Sequence, residues 1–582
     1  MADDGGAIIG RVLASRGVKQ LFTLCGGHIS PILVGAEAHG IRVVDVRDEV
    51  SAVFAADAVA RMTGVPGIAA VTAGPGVTNT VTAVKNAQLA QSPVLVFGGA
   101  AATLLKGRGA LQDIDQISLM ESITKWAVSV KTVSSIEPIV EKALHVAQEG
   151  VPGPVFIEMP IDLLYPEDMV RDMFMKESGV QNSKSLASKA LGLYLRGHLY
   201  RQFHQPHIGV VTPVRESLPP KRNQGSPHVQ RVASLLRQSE RPALVIGSQA
   251  LVNTPDPYAL SEAVQVLGMP TWLGGMARGL LGRYSDIQFR HQRSAALKEA
   301  DLVIVAGFPF DFRLGYGRSI SSRATLVASN LSSSEMSKNR RPDIAVRMHP
   351  GEFLRELADA AGEGLGPWSP WYDTLRAREL KRDEEITEQA EAATEQVNPL
   401  RLFQRIEEQM ADDAVLVVDG GDFVATASYI LRPREPLSWL DPGVFGTLGV
   451  GGGFAVGASL VEPGKEVWLI YGDGSCAYSL AEIDTCVRHG LAPIVVIGTD
   501  GSWAQIAREQ VPMLGTDIGT VLNRTAYHEA ARGYGAAGLL LDDPSQIDAT
   551  LHEAKTIAAS GKPVVINVHI ARTDFRKGSI SV

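Results

Sequence analysis

Cysteine is scarce in this chain of 582 residues: only Cys25, Cys476 and Cys486 occur. An odd count without Cys-x-x-Cys spacing indicates neither a disulfide framework nor a zinc motif. Buried thiols in a reducing compartment are the ordinary reading. No uncharged apolar run reaches the roughly 18–20 residues of a membrane-spanning helix. The opening MADDGGAIIGRVLASRG lacks the basic-then-apolar order of a signal peptide, and the closing ISV is not a peroxisomal address. A cytoplasmic protein with no transmembrane span is expected. Positive charge is not in excess either. A net charge of −8 argues against nonspecific nucleic-acid binding. Aromatics make up only 6%, whereas glycine is abundant at 58 residues and 45% of the chain is apolar. That mixture suits α/β architecture with many tight turns.

Three blocks alternate apolar strand-like runs with helix-like runs, as parallel-sheet α/β domains do. The first contains QLFTLCG, IRVVDV, GIAAVTAG, SPVLVFGG and GPVFIEMP; the second, PALVIGS, LGMPTWL, ADLVIVAG and ATLVASN; the third, AVLVVDGG, EVWLIYGDG, APIVVIGTD and KPVVINVHI. The expected fold class is α/β, with three doubly wound parallel-sheet domains at 1–170, 226–365 and 399–582. Residues 171–225 form a linker. In it, Leu191, Leu195 and Leu199 recur at helical spacing among Lys189, Arg196 and Arg201, before the Pro- and basic-rich VRESLPPKRNQGSPH. An amphipathic helix docked on its own protein is the simple reading; a helix facing a membrane or CoA is the alternative. Residues 366–398 read as a charged, solvated linker helix.

The chemistry concentrates in YGDGSCAYSLAEIDTCVRHGLAPIVVIGTDGSW. Two apolar runs each deliver an aspartate at or just beyond their ends, Asp473 and Asp500, 27 positions apart. In an open parallel sheet, ligands sit outside the carboxyl ends of the strands, and a helix start there suits phosphate. Two converging carboxylates beside it describe a Mg²⁺–diphosphate site. Two ordinary loop aspartates are the competing reading.

GDGS followed by a second ligand at this spacing resembles the signature of thiamine-diphosphate enzymes. The resemblance implies thiamine diphosphate and Mg²⁺ as cofactors, with Asp473, Asp500 and the carbonyl of Ser502 as metal ligands. Thr499-Asp500 stands where Asn-Asn is common. VVDVRDEVSAVFAADAVARMTG resembles the family's Arg-His-Glu segment, with Asp48 in the His position and Glu49 as the acid that bonds the aminopyrimidine. VTAGPGVTN resembles a loop of the same enzymes. FGTLGVGGGFAVGA resembles another, placing Leu448 as the wedge between the cofactor rings and Gly453 in place of the usual proline. Gly421, Asp422, Gly446, Gly474 and Ser475 are the further cofactor-binding candidates. The blocks then become pyrimidine-binding, middle and diphosphate-binding domains. Glu49 and the metal site would come from different subunits, so a homodimer or homotetramer with interfacial active sites is implied.

Within this superfamily the chain is similar to acetolactate synthases and to acetolactate synthase-like 2-hydroxyacyl-CoA lyases, through FTLCGGHISP, AVTAGPGVTNTVTAVKNAQ, GGMARGLLGR, VVDGGDF, LDPGVFGTLGVG and ARTDFRKGSISV. Against the synthases, His28 replaces a small residue, Glu509 a substrate-selecting Trp, and Asp422-Phe423 a Gln-His pair. Gln112 matches a pocket glutamine. These implied catalytic candidates favour cleavage of a 2-hydroxyacyl-CoA to formyl-CoA and an aldehyde or ketone. His28 is read as a proton shuttle, or else as structural. Arg278 and Arg313 are candidates for the nucleotide end of an acyl-CoA substrate or for a bound ADP; structural salt bridges compete. The alternatives are a carboligase acting on 2-keto acids and, remotely, a non-catalytic scaffold.

Overall fold

The computed structural model describes residues 4–180, 185–204, 227–362, 365–366 and 368–577. The closing ISV and all but the last two residues of VRESLPPKRNQGSPH lie outside the described residues. The chain divides into two compact units, Met1–Pro219 and Pro220–Val582.

The first unit is built on β1 (Gln20–Leu24), β2 (Arg42–Asp45), β3 (Gly67–Val71), β4 (Val94–Ala100), β5 (Trp126–Ser129) and β6 (Val155–Pro160). They form one parallel sheet in the order β2-β1-β3-β4-β6-β5. Strands β3, β4 and β6 are buried along their whole length. That is what a parallel sheet covered on both faces requires, and it is why these segments read as unbroken apolar runs. Helix Glu49–Thr63 packs along β1 and β3. Helices Gly5–Ser15 and Ser30–Ala38 meet backbone to backbone: a Cβ at Gly10 would lie 2.0 Å from the Gly35 carbonyl oxygen. Helix Leu186–His204 docks on this unit through Gly192, Leu195, Leu199 and Gln202, while Leu191 is 40% exposed.

The second unit carries two parallel sheets. One contains β7 (Pro242–Ile246), β8 (Thr271–Leu273), β9 (Leu302–Ala306), β10 (Thr325–Ser329) and β11 (Ile344–Val346), in the order β11-β10-β9-β7-β8. The other contains β12 (Val415–Asp419), β13 (Trp439–Leu440), β14 (Val467–Gly472), β15 (Ile494–Thr499), β16 (Ala537–Leu541) and β17 (Val564–His569), in the order β13-β12-β14-β15-β17-β16. The last sheet repeats the strand order of the first. Helix Ser369–Glu391 links the two sheets of this unit. It is less solvated than its charge suggests, because Trp371, Leu375, Ile386 and Ala390 are buried and Glu379 accepts backbone N–H bonds from Arg290 and His291.

Candidate active site

In the C-terminal sheet the chain leaves β12 for β13 on one side and then crosses to β14 on the other. Such a reversal opens a crevice beyond the carboxyl ends of the two central strands. The register Asp419↔Tyr471 and Gly472↔Gly498 brings the ends of β12, β14 and β15 level. A cavity of about 990 Å³ opens there; its lining includes Gly420, Asp422, Leu448, Asp473, Asp500 and Arg508.

Asp473 is 3% exposed. Its carboxylate accepts the N–H groups of Gly474 and Gly501, each at 2.9 Å. Tyr527 donates its hydroxyl to the Asp473 carbonyl at 3.0 Å. The Asp500 carboxylate accepts the Ser502 N–H at 2.9 Å. Burial raises the pKa of Asp473. Burial, then the nearby Asp473 charge, raises Asp500 to about 6. Two buried carboxylates, one of which opposes the other's ionisation, are a setting for a cation. Among the described residues there is no group of three or more His, Cys, Asp or Glu placed to hold a metal. Further ligands to a cation here would be water, backbone, hydroxyl or phosphate oxygens, the oxygen donors Mg²⁺ prefers. Ser502 is tied to Asp500 by its own N–H and lines the same cavity. Thr499, where an Asn is common, turns away and donates to Asn567 Oδ1 at 2.6 Å inside the sheet.

Glycines let the chain pack closely at these strand ends. A Cβ on Gly474 would lie 2.4 Å from the Trp503 ring, and one on Gly420 (φ +92°) 2.4 Å from Ser475 Oγ. Ser475 Oγ donates to the Asp419 carbonyl at 2.6 Å, locking the two strand ends together. Gly421 opens helix Gly421–Ile430, and Gly446 lines the cavity beside Leu448.

Asp419, which the sequence reading passed over, holds that wall. It is fully buried and accepts the N–H groups of Gly449 at 3.0 Å and Gly451 at 2.8 Å. It thereby fixes the turn that presents Leu448. Burial pushes its pKa up to about 7 despite these two donors. Its only sequence signal is an acid closing an apolar strand.

Asp422 does not face a ligand alone. It pairs with Arg508, and with Arg576 at 3.8 Å. Arg572 also lines the cavity. Of the neighbours on helix Ala504–Leu514, Arg508 lines the cavity and Glu509 does not.

Arg278 is partly buried, stacks 4.8 Å from the Trp439 ring and donates to the Ser428 carbonyl at 3.2 Å. Arg290 donates to the carbonyls of Ser428, Ile430 and Leu431. The two guanidiniums satisfy the open carbonyls at the C-terminal end of helix Gly421–Ile430, whose other end faces the cavity. Arg313 pairs with Asp311 at 2.6 Å and stacks 4.8 Å from Phe308.

The first unit has the same reversal between β1 and β3. His28 Nδ1 lies 3.3 Å from Thr72 Oγ1 across it, and burial lowers the His28 pKa. Glu49 opens helix Glu49–Thr63 behind the N-cap Asp48 and is 7% exposed. Its Oε2 accepts from Asn79 Nδ2 at 3.0 Å, while its Oε1 lies 3.5 Å from where a Gly76 Cβ would be. Gln112 has φ +62° and sets its backbone against Gly74. The buried amide nearby is Gln116, which the sequence reading missed. It accepts the Gly74 N–H at 2.9 Å and donates to the Gly99 carbonyl at 3.0 Å and to Glu158 at 3.1 Å.

Family models match all three sheet regions. They are described as the thiamine pyrophosphate enzyme N-terminal TPP binding domain (residues 3–119), central domain (229–357) and C-terminal TPP binding domain (419–568). The chain belongs to the thiamine pyrophosphate enzymes. It is 48% identical to 2-hydroxyacyl-CoA lyase 2 of Danio rerio over 99% of this chain and 93% of that protein. It is also 48% identical to the Homo sapiens protein of the same name, over 99% and 92%. Identity to the acetolactate synthase large subunit IlvG of Mycobacterium tuberculosis is 32%, over 97% and 95%. Thiamine diphosphate fits the C-terminal crevice: Gly421 and Gly446 line it, a Cβ at either would point into open space, and Asp473 and Asp500 place two largely buried carboxylates there.

Proposed function

We propose that this protein is a Mg²⁺-dependent lyase that cleaves 2-hydroxyacyl-CoA to formyl-CoA and an aldehyde or ketone. The observation that carries the reading is 48% identity, across 99% of the chain, to proteins named 2-hydroxyacyl-CoA lyase 2. Cations at the cavity support it: Arg508, Arg572 and Arg576 line it, the first and last of them paired with Asp422, and CoA is strongly anionic.

Asp473, Asp500 and the Ser502 carbonyl would hold Mg²⁺, and Leu448 would set the bend of the cofactor. Thiamine diphosphate, when bound, supplies a carbon that adds to the thioester carbonyl and stores the electron pair released on carbon–carbon cleavage. Glu49 presents Oε1, the oxygen not engaged by Asn79, for proton sharing with the pyrimidine ring. The bond from the thioester carbon to the hydroxyl-bearing carbon breaks. The hydroxyl loses its proton as the aldehyde forms, and the thioester carbon gains one as formyl-CoA leaves. His28, whose pKa burial lowers, accepts and returns that proton. Gln112 lines the substrate side; Glu509, on the helix that carries Arg508 but outside the cavity lining, has no step in this mechanism. The active unit is at least a dimer, with Glu49 and the metal ligands supplied by different subunits. The nucleotide end of CoA, or ADP, is assigned to the middle domain near Arg313.

A holoenzyme incubated with a 2-hydroxyacyl-CoA should yield aldehyde and formyl-CoA in equal amounts, and neither after Mg²⁺ is chelated. Consumption of the thioester with free CoA and hydroxy acid as products would contradict the reading.

A further inference from the structure

Helix Leu186–His204 is apolar on two opposite sides, and only one of them is used by its own chain. The inward side is fixed firmly. Leu199 packs with Ala102, Val170 and Phe174. His198 Nε2 lies 2.9 Å from Thr103 Oγ1, and Gln202 Nε2 donates to Asp162 Oδ2 at 2.8 Å. The opposite side presents Leu186, Leu193, Tyr194 and Tyr200 at 86%, 73%, 51% and 65% exposure. At about 3.6 residues per turn, Leu186, Ala190, Leu193, Gly197 and Tyr200 fall on one stripe, with Tyr194 at its border.

The charges beside that stripe are of one sign. Lys189 and Arg196 flank one edge and Arg201 the other, and the helix contains no Asp or Glu. Among the described residues, none of the three forms a salt bridge; Arg201 donates only to the Gly197 carbonyl at 3.4 Å. A second copy meeting this face about a two-fold axis would set these cations against themselves. A layer that takes leucine and tyrosine and is itself negative satisfies both features. Leucines enter the acyl boundary, tyrosines lie at the headgroup level, and the long basic chains extend to phosphates.

We propose that the outward face of helix Leu186–His204 binds the surface of an anionic phospholipid bilayer, with the helix lying in the plane of the interface. It holds the enzyme at the membrane without spanning it.

The full-length holoenzyme would be sedimented with vesicles of phosphatidylcholine, and with vesicles of phosphatidylcholine mixed with phosphatidylserine. Two variants serve as controls: L193S/Y200S, and K189Q/R196Q/R201Q. All five side chains are exposed, so unchanged thermal unfolding and unchanged turnover are expected. The wild type should sediment with the phosphatidylserine vesicles and be released by salt. Each variant should bind about ten-fold more weakly. Absence of binding to either vesicle, or binding that both variants retain, would overturn the proposal. So would a fall in solution mass caused by L193S/Y200S, which would assign the face to a second copy of the chain.

Discussion

Glu49 shows how one neighbour shapes a reactive carboxyl: Asn79 occupies Oε2 and leaves Oε1 as the oxygen available to a ring nitrogen. Glu49→Gln can keep the Asn79 contact through its amide oxygen but cannot share a proton. Turnover should fall by about 10²–10⁴-fold with thermal stability little changed; initial rates and a melting curve on the same sample test this. Asp419 gives a second prediction. Its folded pKa, about 7, is raised above the ordinary carboxylate value. The folded state therefore holds a proton that the unfolded state has released between about pH 4 and 7, so this group makes stability fall as pH rises through that window. Asp419→Asn keeps an acceptor for Gly449 and Gly451 and should flatten that part of the pH–stability curve, measured by denaturant unfolding. That Asp473 and Asp500 follow the ends of two strands was legible in the sequence because the motif is local. Gln116 was not, because its partners Gly74, Gly99 and Glu158 come together only across three strands.

At the level of elements, β5, β11, β13 and β16 escaped the sequence reading, and all four are sheet edges. An edge strand is short or only half covered, so it lacks the unbroken apolar run that marked β4, β6 and β15. The tie between the middle region and helix Gly421–Ile430 was equally invisible. Arg278 reads from sequence as an anion site, yet it and Arg290 are engaged with helix carbonyls. Partial burial and the neighbouring Arg432 and Arg278 lower the Arg290 pKa to about 10, which leaves it charged at neutral pH. Arg290→Met should destabilise the second unit by about 2–3 kcal/mol, because three carbonyls lose a charged donor. It should also weaken diphosphate binding, since the same helix starts at the cavity. Chemical denaturation and titration with thiamine diphosphate test the two effects separately.

For the whole molecule, the shared strand order of the first and last sheets places two crevices of the same kind, one presenting Glu49 and the other Asp473 and Asp500. The alternation of strands and helices made that architecture readable in advance. Which ligand each crevice takes rests on a few side chains. Mg²⁺ with thiamine diphosphate should raise the unfolding temperature, in proportion to roughly 2.7 kcal/mol of stabilisation at a hundred-fold excess over Kd. Asp500→Asn should abolish the metal-dependent part. The central claim is tested most directly by measuring kcat/KM for a 2-hydroxyacyl-CoA and for pyruvate on one preparation of holoenzyme. The account predicts that aldehyde and formyl-CoA form efficiently from the first, are lost in Glu49→Gln, and that pyruvate gives little acetolactate. Efficient acetolactate formation, with the thioester left intact, would contradict it and make the protein a carboligase.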